Sequence, residues 1–302
     1  MNIMINLFSL GIFLGPIFFL LCILHLYRWY RKRKGFKSPL TGQLLRPPGE
    51  SLRVRIEETN EVLSEALFMM ALVPSLIIGV FLASAIVSGK AIGSSSIVVG
   101  IIIWGCFTVY YMVKIFRLLS ERRDLRLGLE GELAVAEELN KLMFNGYHVY
   151  HDFPAEKFNI DPILIGVAGV FAVETKTRSK RKADRGKFSA EVTYDGNRLS
   201  FPNGYDVNVL TQGKDQASWL GKWLTSAVGE KVGVEPIVTL PGWYVKRVKP
   251  EGIPVLNPKE IRTYITSITS KHKAVLSDVM ITRIVHQIDQ RCRNIEPKDH
   301  LV

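Results

Sequence analysis

Apolar and polar positions follow two different rules along this chain. In the first part the apolar pattern is unbroken: residues 1–27, 66–89 and 91–113 contain no Asp, Glu, Lys or Arg. A bilayer core of ~30 Å takes ~20 apolar residues to cross as a helix, so each stretch is long enough to span. Spans are expected at about 5–27, 67–89 and 96–116. Pro16 and Pro74 fall inside two of them, where neighbouring helices tolerate a kink. The first stretch has no basic region before it, and Arg28-Trp29-Tyr30-Arg31-Lys32-Arg33-Lys34 follows at once, which reads as an uncleaved span rather than a signal peptide. The short 90–95 connection makes the other two a tight hairpin.

Beyond residue 118 the pattern becomes periodic. Val135, Ala136, Leu139, Leu142 and Met143 recur at helical spacing and predict a helix over about 129–144, with Glu132 extending the apolar stripe by one turn. A strand is expected near Tyr147–Phe153. Two apolar runs then flank Gly166-Val167-Ala168-Gly169, a hairpin turning at Val167 and Ala168. A second hairpin over about 188–202 turns at Asp195-Gly196. A helix over about 206–227 carries Val209, Gly213, Ala217, Leu220 and Leu224 on one stripe, with Gln212 at its border, and leads to a strand at Glu235–Leu240. After about residue 245, Asn257-Pro258 starts one helix, and Ile281, Ile284, Val285 and Ile288 mark another. Residues 38–56, with Ser-Pro and Arg-Pro-Pro-Gly steps, carry no legible role.

Charge gives the anchor a direction. Residues 28–65 hold nine Lys or Arg, the 90–95 loop holds Lys90 alone, and Arg117, Arg122, Arg123 and Arg126 follow the third stretch. The positive-inside rule then places 28–65 and everything after 118 in the cytoplasm, with the N-terminus outside, in a multi-pass protein of the cell (inner) membrane. The net charge of +11 is mostly topogenic: residues 1–120 hold 12 basic against 5 acidic residues, and residues 121–302 hold 27 against 23. One basic run is more telling. Lys176, Arg178, Lys180, Arg181, Lys182, Arg185 and Lys187 enclose only Asp184, and such clusters bind phosphate backbones by releasing counterions. A solvated loop is the competing reading.

The candidate chemistry lies in the first hairpin. If the turn is symmetric, Asp161 faces Glu174 with β-carbons about 5 Å apart, a repulsive arrangement unless a cation lies between them. Period-2 alternation puts Lys176 on the same face. Two carboxylates and an ammonium suit Mg²⁺-assisted phosphodiester hydrolysis. An ordinary surface Glu/Lys pair is the alternative, but Val170–Val173 is apolar on both faces, as in a covered strand.

Asp161, a hairpin, then Glu174-Thr175-Lys176 resembles the PD-(D/E)XK nuclease superfamily, and within it the nuclease-related domain (NERD) family. Gly128-Leu129-Glu130-Gly131-Glu132 is similar to that family's G-x-x-G-E element, here opening a helix. Asn159-Ile160-Asp161 is similar to its N-I-D element. Asn208-Val209-Leu210-Thr211-Gln212 is similar to its N-P-x-x-Q element, with Val209 in place of proline. The resemblance covers roughly residues 125–245 and implies an α/β restriction-endonuclease-like domain: a mixed sheet flanked by helices with an α-β-β-β-α-β core. It implies Mg²⁺ (or Mn²⁺) held by Asp161, Glu174 and the Thr175 carbonyl. Glu132 would be a further or water-mediated ligand, Lys176 would position the nucleophile, and Gln212 would support the site. DNA is the default nucleic-acid substrate by analogy.

Cys22, Cys106 and Cys292 offer no zinc spacing, His148 and His151 read as surface or packing residues, and no P-loop, Rossmann fingerprint or nucleophile elbow occurs. The chain therefore reads as a multi-span α-helical anchor (1–118), a nuclease-related domain (119–245) and a helical accessory segment (246–302). The function expected is a Mg²⁺-dependent nuclease acting in the cytoplasm. The alternative is a membrane-tethered nucleic-acid-binding or scaffolding module without turnover.

Overall fold

The computed structural model describes residues 42–89, 93–180, 190–249, 251–271 and 275–296, together with Phe19 and residues 22–23, 25–27 and 29–30. Two compact units result. One comprises residues 1–42, 58–122 and 296–302, the other residues 43–57 and 123–295.

The first unit holds most of helix α1 (Glu50–Ser88) and the first part of helix α2 (Ser94–Met143). Glu50–Gly79 and Ile97–Met143 are long and apolar enough to cross a membrane by length and composition. Phe68, Ile78, Ile101, Ile102 and Ile103 are exposed on them, as side chains meeting lipid would be. Two candidate spans are found among the described residues, not the three expected; the expected span at 5–27 lies almost wholly outside those residues. A second correction concerns α2. The expected third span and the helix over 129–144 are one continuous helix, so Gly128 and Gly131 lie inside it rather than opening it. The connecting stretch is rich in Arg, Leu and Glu and contains no proline, so nothing there breaks a helix.

The second unit begins with β1 (Leu44–Leu45) and the first turns of α1. After the end of α2 come β2 (His148–Tyr150), β3 (Phe153–Pro154), β4 (Asn159–Ile160), β5 (Ile163–Gly166) and β6 (Gly169–Thr175). Strands β7 (Glu191–Tyr194), β8 (Leu199–Phe201) and β9 (Gly204–Asp206) precede helix α3 (Asn208–Val228). Then follow β10 (Val234–Thr239), β11 (Tyr244–Arg247), β12 (Val255–Leu256), α4 (Pro258–Lys271), α5 (Asp278–Cys292) and β13 (Arg293–Ile295).

The central sheet has the order β12-β10-β6-β5-β2, antiparallel through β2, β5 and β6 and parallel from β6 to β10 and β12. Alternation along β6 sorts its residues onto two faces. Val170 and Ala172 pack with Ala217, Leu220 and Leu224 of α3 and with Ile284 and Ile288 of α5. Phe171 and Val173 pack with Val135, Leu139 and Leu142 of α2 and with Ile261 and Ile265 of α4. Each of the buried Val, Leu, Ile and Phe side chains contributes about 1.5–3 kcal/mol on burial, so α4 and α5 belong to the core of this unit. Residues after 245 are therefore not an accessory segment. Strand β12 completes the central sheet, and β13 pairs with β1.

The second expected hairpin forms, with the backbone N–H groups of Asn197 and Arg198 donating to the Asp195 carboxylate in its turn. It belongs to a separate four-stranded sheet, β11-β7-β8-β9, whose outer strands were not expected.

Candidate active site

The β5–β6 ladder runs from Gly166↔Gly169 to Ile163↔Ala172, the register that a turn at Val167 and Ala168 demands. It ends two pairs before the expected Asp161–Glu174 opposition. Pro162, reached through a cis peptide bond, has no N–H with which to extend it. The Val173 N–H donates to the Pro162 carbonyl at 2.9 Å, and the Thr175 hydroxyl donates to the Asp161 carbonyl at 3.3 Å. Asp161 thus lies just beyond the ladder, held against the end of β6 that carries Glu174.

Glu174 is buried on the α3 side of the sheet, and Gln216 Nε2 donates to its Oε2 at 2.7 Å. Helix α3 comes this close because position 213 is glycine: a Cβ there would lie 3.7 Å from Glu174 Cβ and 3.3 Å from Val238 Cγ2. Burial pushes the Glu174 carboxyl up to about 7, against the pull of the Gln216 hydrogen bond and the Lys176 charge; Asp161 adds to the rise.

Glu132 reaches the same place from α2, on the other side of the sheet. A Cβ at Gly131 would run into the Thr177 side chain, so the glycine lets α2 lie close against the end of β6. Burial pushes Glu132 up to about 9, reinforced by Asp161 and, further off, by Asp152 and Glu174. Its Oε2 is buried and has no hydrogen-bond partner among the described residues. Without a cation, two carboxylates cannot comfortably share that space, and the repulsion between them favours a proton on Glu132.

The structure thus brings Glu132, Asp161 and Glu174 together, with Lys176 half-buried beside them on the end of β6. The Lys176 backbone N–H donates to the Thr239 carbonyl at 2.9 Å, and among the described residues its side chain makes no ion pair within 4.0 Å. Thr175 pairs with Thr239 in the ladder. Gln212 is exposed on α3; the amide that reaches the site is Gln216, one turn later. Of the basic run, Arg178 lies over the Phe201 ring at 4.5 Å and Lys180 over the Trp243 ring at 5.8 Å. Arg181, Lys182, Arg185 and Lys187 lie outside the described residues.

Three features were missed. Gln216 is a polar residue within an apolar helical stripe, and that is the signal that marks it. His151, expected as a surface or packing residue, has its Nδ1 3.2 Å from Asp161 Oδ1. Residues 46–51 touch Asp161 and Asp152, with no signal in the local sequence.

Among the described residues no group of three Asp, Glu, His or Cys side chains forms a ready-made metal site. Mg²⁺ does not require one, since it keeps several waters and is commonly held by one or two carboxylates. Hard oxygen donors, mutual repulsion and the unpartnered Oε2 of Glu132 fit such an ion.

Residues 127–241 match the family model of the nuclease-related domain. The match covers under half of the chain. No curated protein and no solved structure matches the chain. The nuclease-related domain match takes in all three carboxylates, Lys176 and Gln216. It leaves out residues 43–57 and 242–295, which the structure places in the same compact unit.

Proposed function

We propose that this protein is a membrane-anchored, Mg²⁺-dependent nuclease that hydrolyses phosphodiester bonds of nucleic acid, DNA by default, in the cytoplasm. The observation that carries the reading is the convergence of Glu132, Asp161 and Glu174 beside Lys176, inside a stretch that matches the nuclease-related domain. Asp161 and Glu174 would hold the ion with the Thr175 carbonyl, and Glu132 would bind it directly or through water. Bound there, Mg²⁺ would polarise the scissile phosphate and lower the pKa of an attached water. The Lys176 ammonium would orient that water and offset the charge developing on phosphate oxygens. Gln216 fixes the rotamer of Glu174. Arg178 and Lys180 begin a basic path for the backbone.

Membrane attachment rests on the two apolar helices. Residues 43–57 and 123–295 form one unit, which supports a reading with both ends of the intervening apolar pair on one side of a bilayer. The basic excess of residues 28–65 assigns that side to the cytoplasm.

The deciding experiment is cleavage by the full chain in detergent micelles, with single- and double-stranded DNA and RNA, in Mg²⁺, Mn²⁺ or EDTA. Metal-dependent cleavage is expected, together with thermal stabilisation by the cation. Asp161→Asn should lose both. Lys176→Ala should lose cleavage and keep the stabilisation, because the ammonium acts on water and phosphate. No stabilisation of the wild type would remove the metal site, and stabilisation without cleavage would leave a nucleic-acid-binding module.

A further inference from the structure

Residues 46–51 precede the apolar hairpin in sequence, yet they lie against the carboxylate cluster. The Gly49 N–H donates to Asp161 Oδ2 at 3.2 Å. Gly49 is buried with φ of 69°, and a Cβ there would overlap Leu129 and lie 3.0 Å from Glu132 Oε2. Backbone therefore approaches both acids at a point where no side chain fits. The anchor of this contact is Asp152, a buried carboxylate on a residue that itself has φ of 49°. Arg46 Nε donates to Asp152 at 2.7 Å and the Ser51 N–H at 3.1 Å, and the Ser51 hydroxyl also bonds it. Asn159, two residues before Asp161, donates to Ser51 Oγ at 2.6 Å and to Asp152 at 3.2 Å. With His151 on its other oxygen, Asp161 is held from both sides.

We infer that residues 46–51 are a positioning strap for the metal-binding carboxylates, fastened on Asp152 and acting on Asp161 through the Gly49 amide. The inference rests on the metal-site reading above. It gives Gly49, Asp152 and Asn159 a role in holding Asp161, and it makes the site incomplete without a segment outside the nuclease-related domain match. The strap hydrogen-bonds the carboxylate of a proposed ligand, Asp161; partners of metal ligands set ligand orientation, and losing them typically costs roughly 10–100-fold in metal affinity.

The test uses the full chain in micelles and two readouts. The first is amide hydrogen exchange over residues 46–53, which needs neither metal nor turnover. In the wild type this segment should be protected. Arg46→Gln should accelerate its exchange by at least about tenfold while β5 and β6 stay protected. Ser51→Ala is the milder variant should Arg46→Gln fail to fold. Asp161→Ala should selectively free the Gly49 amide, because it removes that group's acceptor. The second readout is the Mn²⁺ concentration at half-maximal thermal stabilisation. It should rise about tenfold or more in the strap variants, with the maximal stabilisation retained. A loosened strap with an unchanged Mn²⁺ midpoint would overturn the inference and leave the metal site standing. Free exchange of 46–53 in the wild type, or a Gly49 amide indifferent to Asp161→Ala, would overturn it as well. If the wild type shows no response to Mn²⁺, the metal reading fails by itself, and the inference that rests on it falls with it.

Discussion

A carboxyl buried beside other carboxyls resists ionisation, and Glu132 and Glu174 carry that resistance into the pH dependence of the whole unit. In the unfolded chain both ionise near 4.5; folded, Glu174 is pushed up to about 7 and Glu132 to about 9. Above about pH 4.5 the folded state therefore holds more protons than the unfolded one, and the metal-free protein should lose stability as pH rises. The contribution of Glu174 is spent near 7 and that of Glu132 near 9. A divalent cation favours the ionised forms, so its thermal shift should grow from about pH 6 to about pH 9. Melting curves in EDTA and in Mg²⁺ across that range check both slopes; a cation shift that ignores pH would mean that other groups hold the ion. The two glutamines of α3 separate just as cleanly. Gln216→Leu strands a buried carboxyl and should cost about 1–3 kcal/mol, whereas Gln212→Ala on the exposed side should stay within about 0.5 kcal/mol. Urea unfolding of both variants measures the difference. The placement of Asp161, Glu174 and Glu132 was legible because local spacing fixes it: a symmetric turn sets the hairpin register, and helical periodicity turns Glu132 inward. Asp152 was not, since its partners Arg46 and Ser51 are remote in sequence, and His151 was not, since its contact with Asp161 depends on how the chain turns between them.

Among the elements, α2 and the end of β6 depend on one close approach. Gly131→Ala would drive a methyl group into Thr177 and should cost about 1–3 kcal/mol by overpacking; Thr177→Ala in the same chain should recover part of it. A double-mutant cycle of melting temperatures reads this coupling, and strictly additive effects would place the two elements further apart than the structure does. The segment after β6 carries a different expectation. Neutralising Lys180, Arg181 and Lys182 together should weaken nucleic-acid binding for all sequences alike. It should also lower the salt slope by roughly 0.9 per lost duplex contact. Binding isotherms at several salt concentrations check this, and an unchanged slope would make the run a solvated loop. Helices α3 and α5 and the first hairpin were readable from periodicity, whereas the start of α1 at Glu50, inside the expected 28–65 loop, was not. The small sheet β11-β7-β8-β9 was not, because its outer strands are three and four residues long and its β11–β7 pairing is parallel and remote in sequence. The continuous α2 was missed for the opposite reason: a change from apolar to charged composition looks like a boundary even where the backbone continues.

On the scale of the whole molecule, the unit that carries the site is discontinuous. Strand β1 comes from the start of the unit and pairs with β13 at its end, and Arg46, Gly49 and Ser51 lie more than 100 residues from the Asp152 and Asp161 that they bond. A fragment of residues 119–302, the natural choice for a soluble domain, would lack them. It should melt below the full chain and lose protection in β13, and a peptide of residues 43–57 added in trans should restore part of both. Scanning fluorimetry with and without the peptide checks this; a fragment as stable as the full chain would show the early segment to be dispensable. Reporter fusions complete the picture at this scale, with the 90–95 loop expected outside and a fusion after Val302 inside.

The split sequence also imposes an order on biosynthesis. Residues 43–57 leave the ribosome well before Asp152 and Asp161 are translated, and on the membrane reading proposed above they wait for those partners while two apolar segments enter the bilayer. The early piece shares a compartment with the later one when both segments cross, and is parted from it when one crosses alone. A hairpin that inserts halfway strands β1 and Arg46 on the far side and leaves Asp152 buried without its cation, a fault that costs several kcal/mol. On the proposed membrane reading, correct insertion is a condition for closing the domain, and the proposed site is finished only once the chain's place in the membrane is secured.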